Sequence, residues 1–368
     1  MKRYLFTNCT IVQGELFLIG ALGGLLAKVN LENGNMSNYE MQKGFVQEKN
    51  VVLIDYMENY QDYIYALDSK GVNLVIIGLK NRECRYVSLN CAFRSFINFV
   101  SFERYRTDYY IFPKYENKLL IYHTSNEKLQ EISGYLEDVN EIQCACRVKE
   151  DVWILPKASD AMFCYELSTG EKKRYKLNRV LQDCVHSVFH EGYIYILNMF
   201  GVVYRWDIEK TELLEIADLN INRDENESWS KVIYAGNRLI FLPAYGNDIK
   251  ILDLYSGKIN IYESYPEDFT YQSTWLKYYG YCEDENNYYF AACSGNYMLK
   301  IDKQTGKFAW MKPTIEDSIV SKRMESVKDK IYYEGIYETA DLLNAISKNL
   351  CQPDNKFIGQ KIYRWMME

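Results

Sequence analysis

Residues 151–156, Asp151-Val-Trp-Ile-Leu-Pro156, put one polar residue ahead of a run of aromatic and branched side chains. Such side chains fit a pleated, half-buried surface, so the stretch reads as a strand. The same shape returns at Glu15-LFLIG, Asp62-YIYAL, Asp108-YYIFP, Gly192-YIYIL, Asn237-RLIFLP, Asn287-YYFAA and Asp329-KIYYEG, with successive starts 41 to 50 residues apart. A period of that size, kept along the chain, means stacked supersecondary units.

Working outward, each unit continues in one way. A second strand runs into a polar turn, as in LLAKVNLENG34, MFCYELSTG170, VVYRWDIEKT211, DIKILDLYSG257 and YMLKIDKQTG306. Asp, Ser, Thr and Gly in those turns supply local hydrogen bonds and a residue tolerant of positive φ. A short strand such as Lys307-FAWMK comes next, and another such as Cys184-VHSVFHE or Lys231-VIYAG precedes each motif. That makes four antiparallel strands per unit. One unit cannot bury its own faces, whereas a closed ring of them can. The fold class is therefore all-β, a β-propeller of four-stranded antiparallel blades. Seven units are complete, and the motif at Asp329 opens another over residues 319–336. This favours eight blades with the last incomplete, and seven is the alternative. The propeller spans residues 1–338. From Thr339 the period changes to that of a helix, with Leu342, Leu343 and Ile346 on one face, so 339–368 is expected to be a short C-terminal helical tail packed on the propeller.

Lys300-IDKQTGKFAW310 resembles the turn-centred repeat of quinoprotein-type propellers, and the chain as a whole resembles bacterial Kelch-like or quinoprotein-like propellers. Only this unit carries the full Asp-x-x-Thr-Gly-x-x-x-Trp form, so the resemblance implies the fold and no quinone cofactor.

The composition narrows the partners. The chain has 34 Tyr, 20 Gly, 6 Pro and a net charge of −7, which argues against nucleic acid or an anionic membrane. Ten irregularly spaced cysteines without a C-x-x-C read as reduced thiols of a cytoplasmic protein. The apolar run 16–27 is too short to span a bilayer and falls in register with the repeat, so it is read as strand rather than export signal. Cys144 and Cys146 share a face if extended, but no second ligand pair accompanies them, and no metal or other cofactor is expected.

Strong catalytic motifs are missing: there is no P-loop, dinucleotide fingerprint, H-E-x-x-H or G-x-S-x-G. Of the three histidines, His123 ends a strand, while His186 and His190 alternate with Cys184 along 184–190 and are expected on one face with it. The acidic run Asp224-Glu-Asn-Glu227 reads as a solvated loop. Loop lengths are more informative. Long connections, at 90–96, 220–229 and 264–281, fall between units on the face that also carries the second-to-third-strand loops, and such loops tend to carry function. That face is expected to gather Trp229, Tyr245, Tyr271, Trp275 and Tyr115 with Arg94, Lys114, Lys157, Arg223 and Lys277, a mixture of aromatic and cationic anchors. Three functions fit: a non-enzymatic platform for a protein, peptide or glycan; a lyase or hydrolase at the channel mouth; or an assembly subunit.

Overall fold

The computed structural model describes residues 6–20, 26–39, 54–69, 72–95, 97–219, 228–245, 248–271, 278–293 and 295–315. Within them the repeat forms seven four-stranded antiparallel sheets, spanning 6–38, 54–88, 99–133, 142–181, 184–218, 228–261 and 278–311, which we number blades 1 to 7. No helix occurs among the described residues. The aromatic motif is the second strand of each blade, for example Asp151–Pro156 and Tyr193–Asn198. It is central in its sheet and hence the most apolar.

The ring has the seven blades of the alternative count, not the favoured eight. Seven hydrophobic clusters lie between blades, one at each interface, and each draws on two neighbours. The cluster that decides the count joins Phe6, Cys9 and Leu16 of blade 1 to Cys282, Tyr289 and Met298 of blade 7. There the Cys9 thiol donates to the Tyr289 carbonyl at 3.3 Å, which leaves no room for another blade. The recurrence at Asp329 and the expected helical tail lie outside the described residues. After blade 7 the chain instead adds Thr314–Ile315 as a fifth strand, parallel to Asn35–Asn38 on the outer edge of blade 1. Thr314 N donates to Gly34 O at 3.1 Å.

Turn chemistry matches the sequence. Gly236 and Asn237 both have φ near +60° (59° and 58°), the shape a two-residue hairpin needs to match strand twist. Asp302 Oδ1 accepts from Thr305 N at 2.7 Å and from Thr305 Oγ1 at 2.8 Å, closing the turn of the Lys300–Trp310 segment.

The first strand of each blade carries the feature that matters most for function. All seven have one extra residue near their start, a bulge opposite the end of the second strand: at Thr7, Asp55, Val100, Gln143, Val185, Ser230 and Tyr279–Gly280. Bulges re-aim side chains and sharpen twist. In an antiparallel meander the first strand starts at the end where blades are connected and where second strands turn into third strands. The seven bulges therefore ring the central channel at its loop-rich mouth.

Candidate functional site

In blades 1, 2, 5 and 6 the residue after the bulge leans towards the next blade around the ring. Asn8 Nδ2 donates to Asp55 O at 2.9 Å and to Ile54 O at 3.3 Å, from blade 1 to blade 2. The Tyr56 hydroxyl reaches Val100 O, from blade 2 to blade 3. His186 Nδ1 accepts from Val232 N at 3.5 Å, from blade 5 to blade 6. Lys231 Nζ lies 5.4 Å from the ring centre of Tyr281, from blade 6 to blade 7. In blade 7 the equivalent residue is Gly280, where a Cβ would fall 2.2 Å from the Asn8 side chain, so only glycine fits.

Two contacts skip a blade and so cross the mouth of the channel. The Tyr279 hydroxyl of blade 7 donates to Asp55 Oδ1 of blade 2 at 2.7 Å. The His186 ring of blade 5 meets Tyr281 of blade 7 edge-on, with centroids 6.2 Å apart. The channel is therefore narrow here, and its mouth is lined by aromatic and ionisable groups from several blades.

Their charges are shifted, chiefly by removal from water. Asp55 is pushed up to about 6 by burial, against four donors that hold it down: Tyr279 OH, Ser69 Oγ, Asn98 N at 2.9 Å and Phe99 N at 3.1 Å. A carboxylate surrounded only by donors stays ionised at neutral pH. Burial pulls Lys231 down to about 8, with the charge of Asp55 opposing, and pulls His186 down to about 3, helped by the charge of Lys231. Tyr56, Tyr279 and Tyr281 are raised by burial. Asp55, Tyr56, His186, Lys231 and Tyr281 remain half-buried.

Deeper in the channel a second group is internally paired. Arg104 Nε donates to Glu58 Oε1 at 3.0 Å, and Arg147 Nη1 lies 3.6 Å from Glu103 Oε2 while also donating to Arg104 O. Ser101 holds the other oxygen of Glu103. Burial pushes Glu58 up to about 7 and raises Glu103 too, yet both have their cations. This network is complete in itself and ties blades 2, 3 and 4.

Among the residues expected on the loop-rich face, Lys114 and Tyr115 lie together beside Ser95. Lys157 pairs with both oxygens of Glu141 at 3.1 Å, and the Tyr115 hydroxyl donates to Ser95 at 2.8 Å with Lys114 over its ring. Arg94 is exposed. Trp229 is 2% exposed and packs edge-on against Phe241 in the cluster between blades 5 and 6, so it offers no surface to a ligand. Tyr271 is half-buried, tilted against the Phe269 ring and bridged to Gly295. Tyr245 ends a strand opposite Ser228. Arg223, Trp275, Lys277 and the acidic run 224–227 lie outside the described residues.

Of Cys184, His186 and His190, expected on one face, Cys184 departs, while His186 and His190 keep the alternation and both meet blade 6. The bulge at Val185 breaks the alternation, so Cys184 turns into the cluster between blades 4 and 5 while His186 faces the channel. His190 stacks on Tyr234, with centroids 3.3 Å apart, and His123 clips Asp108 at 2.8 Å to Gln130 at 3.1 Å. Cys144 and Cys146 do lie in one cluster, but no group of three potential metal ligands occurs among the described residues.

No protein-family model matches this chain, and neither does any curated protein. Many solved structures do. A streptogramin B lyase aligns with a TM-score of 0.56 at 10% identity, over 80% of this chain and 93% of that one. The computationally designed Ika8 protein aligns at 0.51 and 9%, over 85% and 90%. PorZ, a surface component of the type-IX secretion system of Porphyromonas gingivalis, aligns at 0.55 and 10%, over 85% of this chain and 38% of PorZ. At such identities the likeness is one of fold. The chain is a seven-bladed β-propeller.

Proposed function

We propose that this propeller binds a small polar molecule in the mouth of its central channel, between Lys231, His186 and Tyr281 on one side and the Asp55–Tyr279 pair on the other. The observation that carries this reading is the contrast between the two channel layers. The deeper ions, Glu58, Arg104, Glu103 and Arg147, satisfy one another, whereas no carboxylate among the described residues pairs with Lys231. Perturbed ionisable groups converging in a cleft from several elements mark a functional site more often than a structural one. The expected platform for a protein, peptide or glycan has weaker support, because Lys157, Tyr115 and Trp229 are engaged by their own chain. The long loops of that face then serve as the rim of the channel.

A lyase or hydrolase at the same mouth is the second reading, favoured by one observation. Lys231, drawn down to about 8, titrates near neutrality, where a general base is most effective. His186, drawn down to about 3, is a hydrogen-bonding group rather than a base. That a streptogramin B lyase shares the fold is compatible with catalysis but does not supply its residues.

A thermal-shift screen of small polar metabolites tests the site. It would compare the parent chain with Lys231→Met plus His186→Gln (mouth) and with Arg94→Ala plus Lys157→Ala (rim). Compounds that raise the parent's midpoint should also stabilise the rim variant and leave the mouth variant unmoved. The opposite pattern would return the site to the rim.

A further inference from the structure

Resting on that channel reading, we propose that Lys231 receives the carboxylate of the channel ligand, so that the molecule bound is a small organic acid. Lys231 occupies the post-bulge position of blade 6, and the equivalent residues of neighbouring blades find polar partners across the blade boundary. Asn8 takes two carbonyls, Tyr56 takes one, and His186 takes a backbone N–H. Among the described residues, Lys231 meets the π face of Tyr281 and no hydrogen-bond partner. Face contact with an aromatic ring offsets part of an ammonium's lost hydration but leaves its N–H donors unused.

Asp55 is the carboxylate whose charge reaches Lys231, yet no ion pair joins the two. Its two oxygens already accept from Tyr279, Ser69, Asn98 and Phe99. The chain thus holds a partly dehydrated, half-buried cation with no anion paired to it among the described residues. Leaving a buried charge uncompensated is costly, and proteins carry such costs mainly at functional sites.

The neighbouring imidazole adds a directional donor. Because His186 Nδ1 accepts from Val232 N, the proton of the neutral ring sits on Nε2, which has no partner among the described residues. An ammonium and an N–H donor side by side suit the two oxygens of a carboxylate, and the rings of Tyr56 and Tyr281 suit a flat or unsaturated body.

The test uses the full chain with three probes: bromide, benzoate and its uncharged counterpart benzamide. Crystals of the parent soaked in bromide should hold an ion beside Lys231 Nζ, and crystals of Lys231→Met should not. In solution at fixed ionic strength, benzoate should raise the parent's unfolding midpoint saturably. Lys231→Met should weaken that response at least tenfold, and Lys231→Arg should keep most of it. Bromide absent from the mouth, or an equal benzoate response in Lys231→Met, overturns the assignment. Benzamide binding the mouth as well as benzoate also overturns it while leaving the channel reading intact. If the parent responds to neither compound and no bromide enters, the carboxylate assignment falls together with the channel site.

Discussion

Replacing Lys231 by methionine should make this protein more stable. The amine falls from 10.5 to about 8 on folding, mainly through burial, so the folded state disfavours the charged form by about 3 kcal/mol at neutral pH. Water entering along the channel reduces that figure. Methionine keeps an apolar stem of similar length but gives up the contact with the Tyr281 ring, worth about 1 kcal/mol. A net gain of about 1–2 kcal/mol remains. The sign with pH is that of a base whose folded value is depressed. Its cost is complete below pH 8, shrinks between 8 and 10.5, and is gone above that. Urea unfolding monitored by tryptophan fluorescence, at steps from about pH 7 to 10, measures both quantities. The variant's advantage should be largest at neutral pH and fade as the parent's lysine loses its proton. A variant less stable than the parent at neutral pH, or an advantage that does not change with pH, would refute the reasoning. It would mean that Lys231 is a satisfied structural residue.

The same contacts set three other outcomes. Gly280→Ala should cost about 2–3 kcal/mol in urea unfolding, because the new methyl meets the Asn8 side chain pinned between blades; adding Asn8→Ala should recover part of the loss, which a double-mutant cycle reads directly. His186→Gln should flatten acid unfolding: the neutral imidazole costs nothing above pH 6.5, but must be charged at increasing cost towards about 3, so the parent should lose up to about 3 kcal/mol relative to the variant by about pH 4. The rise of Asp55 and Glu58, which favours the fold as pH drops, is common to both proteins and cancels in that difference. Trp229→Ala should cost about 3–5 kcal/mol by emptying the cluster between blades 5 and 6, and should leave ligand affinity unchanged below its unfolding temperature.

The repeat was legible because every second strand meets the same demand, burial on both faces between polar turns, and so it reuses one pattern from Glu15 to Asn287. The blade count was not, because ring size is fixed by contacts between the chain's extremes. Cys9 with Tyr289, and Asn8 beside Gly280, leave no local pattern, while the run after Asp329 repeats the motif in sequence. The channel constellation was hidden by the bulges. Strict alternation placed His186 with Cys184, and one extra residue at Val185 separated them. A signal was nevertheless present: first strands otherwise built for burial carry Asp55, Glu103, Arg147, His186 and Lys231 in their interiors. Interior charges recurring in the equivalent strand of several blades point to a common axis. The longest loops lie at the same end of the ring as the bulges, but they do not announce the channel residues.

The central claim is tested most directly by a crystal structure of the chain bound to the compound that stabilises it most in the metabolite screen. Density is expected in the channel mouth, with an acidic group within hydrogen-bonding distance of Lys231 Nζ and His186 Nε2. Density on the outer loops beside Arg94 and Lys157, with the mouth closed by Tyr279 and Tyr281, would contradict it.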